Sequence, residues 1–298
     1  LSSLDDFLNL EQDFQGDASK MATVFANPGK ADDLKRLNDQ FSDQGDTFLA
    51  NLDKLEDFEE LATDFGGDAT KMATVFANPE KADDLKRLND QFSDQGDTFL
   101  ANLDKLEDFE ELATDFGGDA TKMATVFANP DKADDLKRLN DQFSDQGDTF
   151  LANLDKLEDF EELATDFGGD ATKMATVFAN PEKADDLKRL NDQFSDQGDT
   201  FLANLDKLED FEELATDFGG DATKMATVFA NPDKADDLKR LNDQFSDQGD
   251  TFLANLDKLE DFEELAADFG GDTTKMATVF ANPEKADDLK RLNDQFSD

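Results

Sequence analysis

A period of 51 residues runs through this chain and limits what it can become. Methionine stands at 21, 72, 123, 174, 225 and 276, and proline at 28, 79, 130, 181, 232 and 283. A fixed period of this length marks a repeat architecture. Each unit is one supersecondary motif that buries its apolar face against its neighbours. The unit from Leu55 to Lys105 reads LEDFEELATDFGGDATKMATVFANPEKADDLKRLNDQFSDQGDTFLANLDK, and copies start at Leu4, Leu55, Leu106, Leu157, Leu208 and Leu259. The expected organisation is repeat 1 at 1–54, repeat 2 at 55–105, repeat 3 at 106–156, repeat 4 at 157–207, repeat 5 at 208–258 and repeat 6 at 259–298. The first copy diverges near its start, with LDDFLNLEQDFQG in place of LEDFEELATDFGG, as an end copy would. The sixth stops in mid-unit without diverging, so the array is expected to continue. The series Gly29, Glu80, Asp131, Glu182, Asp233, Glu284 alternates as if a pair of units was the segment last duplicated.

The spacing of apolar residues predicts an all-α array of three-helix repeats forming an elongated rod or solenoid. One helix is expected from about Thr98 to Phe116, carrying Phe99, Leu100, Leu103, Leu106, Phe109, Leu112 and Phe116 at intervals of mostly three or four. Asp97 is its expected N-cap, and Gly117-Gly118 its left-handed stop. A short second helix is expected over Ala120 to Ala128, capped by Asp119. The third opens at Asn129-Pro130, with Asn as cap and Pro in the first turn, and ends near Gly147. Phe143 and Phe150 lie seven apart, which preserves helical phase across SDQGDT. A break there is expected, with one continuous rod as the alternative. No stretch alternates with period two, so no sheet is expected. A repeat of 51 residues is marginal as an independent core. No Pro/Ser-rich linker separates the copies, so neighbours are expected to share cores or helices in a stiff array.

Composition removes whole classes of function. The 298 residues include 74 acidic and 29 basic side chains, a formal charge of -45, or -8 per repeat. Such a chain repels nucleic acid and anionic membranes, and no apolar run approaches the roughly 18 residues of a membrane span. Cysteine, histidine, tryptophan and tyrosine are all absent. Disulfides, Cys/His zinc sites and catalytic arrangements needing His or Cys are therefore excluded.

Few groupings remain that carry chemistry. Asp90, Asp94, Gly96 and Asp97 place carboxylates around a glycine, an oxygen-rich arrangement of the kind that holds Ca²⁺. With Gly96 at loop position 6 of an EF-hand, however, Gln91, Ser93, Gln95 and Asn102 fall where ligands belong, so capping and solvation are favoured. In Asp64-Phe65-Gly66-Gly67-Asp68, the glycines are expected to end one helix and Asp68 to cap the next. Glu56, Asp57, Glu59 and Glu60 neighbour one another, but glycosidase chemistry needs a raised pKa in a cleft, and a solvated face is expected instead. Lys86-Arg87 is expected to pair with Asp83, Asp84 or Asp90 along its helix. Every Phe sits at core spacing. The sequence thus leads to no catalytic, cofactor-binding or metal residues and no cofactor. It predicts a non-enzymatic, acidic structural protein: a spacer, stalk or filament segment of a large extracellular or cell-surface protein, self-associating with other copies or neighbouring repeats. The alternatives are an array responsive to weakly bound divalent cations such as Ca²⁺, and an intracellular scaffold with one docking site per repeat.

Overall fold

The computed structural model describes residues 2–296. Among them there are α-helices and 3-10 turns and no strand, so the chain is an all-α tandem repeat. It divides into two compact units, residues 1–154 and 155–298.

Each complete repeat holds four helices where three are predicted. In the first unit, repeat 1 supplies α1 (Ser2–Asp13), α2 (Ala18–Ala26), α3 (Ala31–Gln40) and α4 (Gly45–Ala50). Repeat 2 supplies α5 (Leu55–Asp64), α6 (Ala69–Ala77), α7 (Ala82–Gln91) and α8 (Gly96–Ala101), and α9 (Leu106–Asp115) opens repeat 3. The extra helix comes from the expected Thr98–Phe116 span, which is two helices joined by a 3-10 turn at Leu103–Lys105. Asn102 makes the break. Its backbone sits at φ -132, ψ 49, and its side-chain amide donates to the Thr98 carbonyl at 2.8 Å. That bond occupies a carbonyl a continuing helix would use. Asn78 does the same to Thr74 at 2.9 Å. It therefore ends α6 through its side chain, and Pro79 follows in a 3-10 turn leading into α7. The expected Asn cap at this position is corrected accordingly: no side-chain cap bond is made to the following turn.

The break between Phe143 and Phe150 is present. Phe143 lies at φ -134, ψ 61, followed by a 3-10 turn at Ser144–Gln146. Gly147 begins the next helix instead of ending the last. The reason is crowding. A Cβ on the equivalent Gly96 would lie 2.6 Å from the Phe65 ring and 3.0 Å from Asn89 Oδ1, so only glycine admits this approach. The double glycine behaves as expected. Gly66 and Gly67 take φ +62 and +71, and Gly67 N–H reaches the Ala62 carbonyl at 2.7 Å, closing the end of α5.

Within the first unit, α1, α3, α5, α7 and α9 pack each on the next in a row, while α2 pairs with α4 and α6 with α8 beside it. The second unit repeats this arrangement. The core lies between the two layers. It takes Leu55, Phe58 and Leu61 from α5, Met72, Val75 and Phe76 from α6, Leu85 and Leu88 from α7, and Phe99 from α8. Asn89 is buried among them. Its amide donates to Asp64 at 2.9 Å, while its Oδ1 has no hydrogen-bond partner.

Candidate functional site

The contact between successive repeats is the most elaborate recurring feature, and phenylalanine builds it. Phe41 and Phe48 of repeat 1 meet Phe58 and Phe76 of repeat 2. Phe48 lies 6.1 Å from Phe58 and 5.0 Å from Phe76, and Phe41 lies edge-on to Phe76 at 5.1 Å. The same four-ring cluster recurs as Phe92, Phe99, Phe109 and Phe127, and in the second unit as Phe194, Phe201, Phe211 and Phe229. Edge-to-face pairs at these separations add to the stabilisation from burial. The expectation that neighbours share their cores therefore holds within each unit.

Ion pairs cross the same junction. The Arg87 guanidinium clasps Glu110 of the following repeat through Nε at 2.8 Å and a terminal nitrogen at 2.9 Å. It also holds Asp83 at 2.8 Å and Asp84 at 2.6 Å, and these hydrogen bonds raise its pKa still further. Arg36–Glu59, Arg189–Glu212 and Arg240–Glu263 repeat the clasp. Inside a repeat, Lys86 joins α7 to Glu60 on α5 at 2.6 Å, and Lys71 joins α6 to Asp97 on α8 at 2.7 Å. Exposed pairs contribute about 0.2–1 kcal/mol, whereas a buried Phe contributes about 1.5–3 kcal/mol. The rings hold the junction, and the bidentate clasp sets its register.

The candidate residues separate on this framework. Asp90 pairs with Lys86 at 2.8 Å and Asp97 with Lys71, so the two turn to different lysines. Asp97 is the second residue of α8 and not its N-cap, which corrects the expected capping. Asp94 is exposed in the Ser93–Gln95 turn, and no ion pair forms with it among the described residues. Across the described residues, no group of three or more acidic side chains converges as metal ligands would. Asp68 caps α6, accepting from Thr70 N–H at 2.8 Å and Lys71 N–H at 3.2 Å. Lys86 and Arg87 find the helical partners expected of them and also bridge to neighbouring helices, which helical spacing alone does not reveal.

In the group Glu56, Asp57, Glu59 and Glu60, Glu59 and Glu60 serve the clasps and Glu56 is exposed. Asp57 differs. Partial burial first, then the facing Asp83 carboxylate, raises its pKa above the ordinary carboxylate value, and Asp108, Asp159 and Asp210 are raised by the same causes. The folded chain thus holds this proton more tightly than the unfolded one. The charge penalises folding above the raised pKa, and the penalty vanishes as pH falls below the unfolded value near 4. Changing these four to Asn should raise the melting temperature at pH 7, and its advantage over the parent should shrink on acidification. Thermal denaturation across that range checks this; a variant less stable than the parent at pH 7 contradicts it.

The Phe residues do not all serve the core. Phe48, Phe58, Phe76 and Phe99 are buried, but Phe41, Phe65 and Phe92 remain partly exposed. Leu4, Leu8 and Phe25 in repeat 1, and Leu289, Leu292 and Phe296 in repeat 6, lie on faces that internal repeats cover with a neighbour. A cavity of about 440 Å³ beside Phe269, Lys275, Val279 and Leu289 occupies the place that α8 fills in repeat 2. No helix among the described residues is long and apolar enough to cross a membrane. No protein family, curated protein or solved structure matches the chain.

Proposed function

We propose that the chain is a non-enzymatic spacer, a structural segment whose reach is set by the number of repeats, working as a stalk or filament-forming part of a larger protein at the cell surface or outside the cell. The observation that carries this is the junction itself. Within each unit the same four rings and the same Arg–Glu clasp couple one repeat to the next, with no flexible linker between them. A part repeated almost without change suits a task that every copy performs alike. The charge of -8 per repeat keeps copies soluble and apart at low salt, with repulsion screened beyond about 10 Å at 0.1 M. Small-angle scattering on arrays of increasing copy number tests the reading. The maximum dimension should grow by a constant increment per repeat. Growth that falls off with copy number, as for a flexible string, contradicts it.

A further inference from the structure

Among the exposed carboxylates that form no ion pair, one stands at a recess between repeats. Asp43, in the 3-10 turn after α3, forms no ion pair among the described residues and caps no helix. It lies at the mouth of a half-open cavity of about 230 Å³ at the junction of repeats 1 and 2. The edge-on pair Phe41–Phe76 forms its aromatic floor, and Ala69 and Ala73 of α6 form a wall without projecting side chains. An equal cavity, about 230 Å³, recurs in the second unit with Asp196, the pair Phe194–Phe229 at 5.1 Å, and Ala222 and Ala226. The same site in both units is a property of the junction.

A recess that sets an alanine wall and an aromatic pair against Gln40, Ser42 and Gln44, with a single carboxylate among them, has a definite complement. A lysine or arginine side chain lays its methylene stem on apolar surface and leaves its cationic head at the edge. Here the stem would run over the exposed Ala69 and Ala73 and the partly exposed Phe41, and the head would meet Asp43. The chain's charge of -45 draws polycations and repels anions. We propose that each junction cavity takes one cationic side chain of a basic polypeptide, so that the array is a multivalent receptor for a lysine- or arginine-rich segment. This goes beyond the spacer role and does not depend on it. A single exposed ion pair is weak. Affinity would come from several junctions engaging one chain at once.

The test must separate the cavity from general charge. Labelled oligolysine is titrated into the full chain at fixed ionic strength and followed by fluorescence anisotropy. Three variants are compared with the parent. The first carries Asp43→Asn, Asp94→Asn, Asp196→Asn and Asp247→Asn. The second removes the same charge at exposed positions outside the cavities, as Asp53→Asn, Asp104→Asn, Asp206→Asn and Asp257→Asn. The third keeps every charge and plugs the cavities, as Ala73→Leu, Ala124→Leu, Ala226→Leu and Ala277→Leu. The first and third should lose at least about tenfold in affinity, and the second less than about twofold, because simultaneous engagement magnifies each lost site. Equal losses in the first and second variants overturn the proposal in favour of unspecific charge attraction, as does full affinity in the plugged variant. Should the plugged variant fail to fold by circular dichroism, the comparison of the two Asn sets decides alone, since all eight changes lie outside the apolar core.

Discussion

Phe99→Ala should destabilise its junction by about 3–5 kcal/mol, the range for emptying a buried aromatic position. The ring is fully buried and touches Phe109 at 6.1 Å and Phe127 at 5.1 Å, both in the following repeat. Its loss therefore falls on the coupling between repeats 2 and 3 and not on one repeat alone. In a chain of nearest-neighbour interactions, weakening one interface divides the cooperative unit. Hydrogen exchange on the first unit, residues 1–154, should show α5 to α7 and α9 losing protection at different denaturant concentrations, where the parent loses it together. Breaking the neighbouring clasp by Arg87→Gln should act in the same direction but remain within about 1 kcal/mol. A Phe99→Ala loss no larger than that would mean that the rings do not hold the junction.

An isolated repeat should not fold. Cut out as residues 55–105, repeat 2 loses Phe41 and Phe48 from one side and Glu110, Phe109 and Phe127 from the other. Phe58 and Phe76 then face water on one flank and Phe99 on the other. At 51 residues, without disulfide or metal, little remains to offset the entropy of ordering. Circular dichroism of the single repeat should be that of a largely unfolded chain. Two tandem repeats should show a folded, low-melting species, and three should melt higher, because each added copy brings one interface. Equal melting temperatures across the series would describe independent domains.

Much of this architecture is legible in the sequence, and the exceptions have physical causes. The period, the all-α character, the Gly66-Gly67 stop and the Asp68 cap all follow from local rules. The division of the Thr98–Phe116 span does not, because apolar spacing is preserved across the break and periodicity is blind to it. The signal lies in side-chain chemistry. Thr74-Val75-Phe76-Ala77-Asn78 and Thr98-Phe99-Leu100-Ala101-Asn102 share the pattern Thr-x-x-Ala-Asn, and after one intervening residue, Pro79 or Leu103, each continues with an acidic residue and a lysine. In both, the Asn reaches back to the Thr carbonyl. Once Asn78 is read as a stop, Asn102 is one too, and the repeat becomes two helical hairpins.

Gly96 misleads for another reason. Glycine reads as a helix end, but here it answers to Phe65, about thirty residues earlier, and to Asn89. A close approach between segments leaves no local trace. The candidate carboxylates show the same limit. Asp90, Asp94 and Asp97 lie close in sequence, and only the fold shows that Asp90 and Asp97 turn to separate lysines while Asp43, the counterpart of Asp94 in repeat 1, stands at a cavity formed with the next repeat.

Rings and clasp together should hold a repeat rigidly to its neighbour within a unit, and one distance measures it. The chain has no cysteine, so Thr70→Cys and Thr121→Cys place two spin labels at equivalent exposed positions of repeats 2 and 3 without further changes. Pulsed electron spin resonance on the full chain should return a single narrow distance distribution. It should broaden when Phe99→Ala is added and change little with Arg87→Gln. A broad distribution in the parent, indifferent to Phe99, would contradict the account.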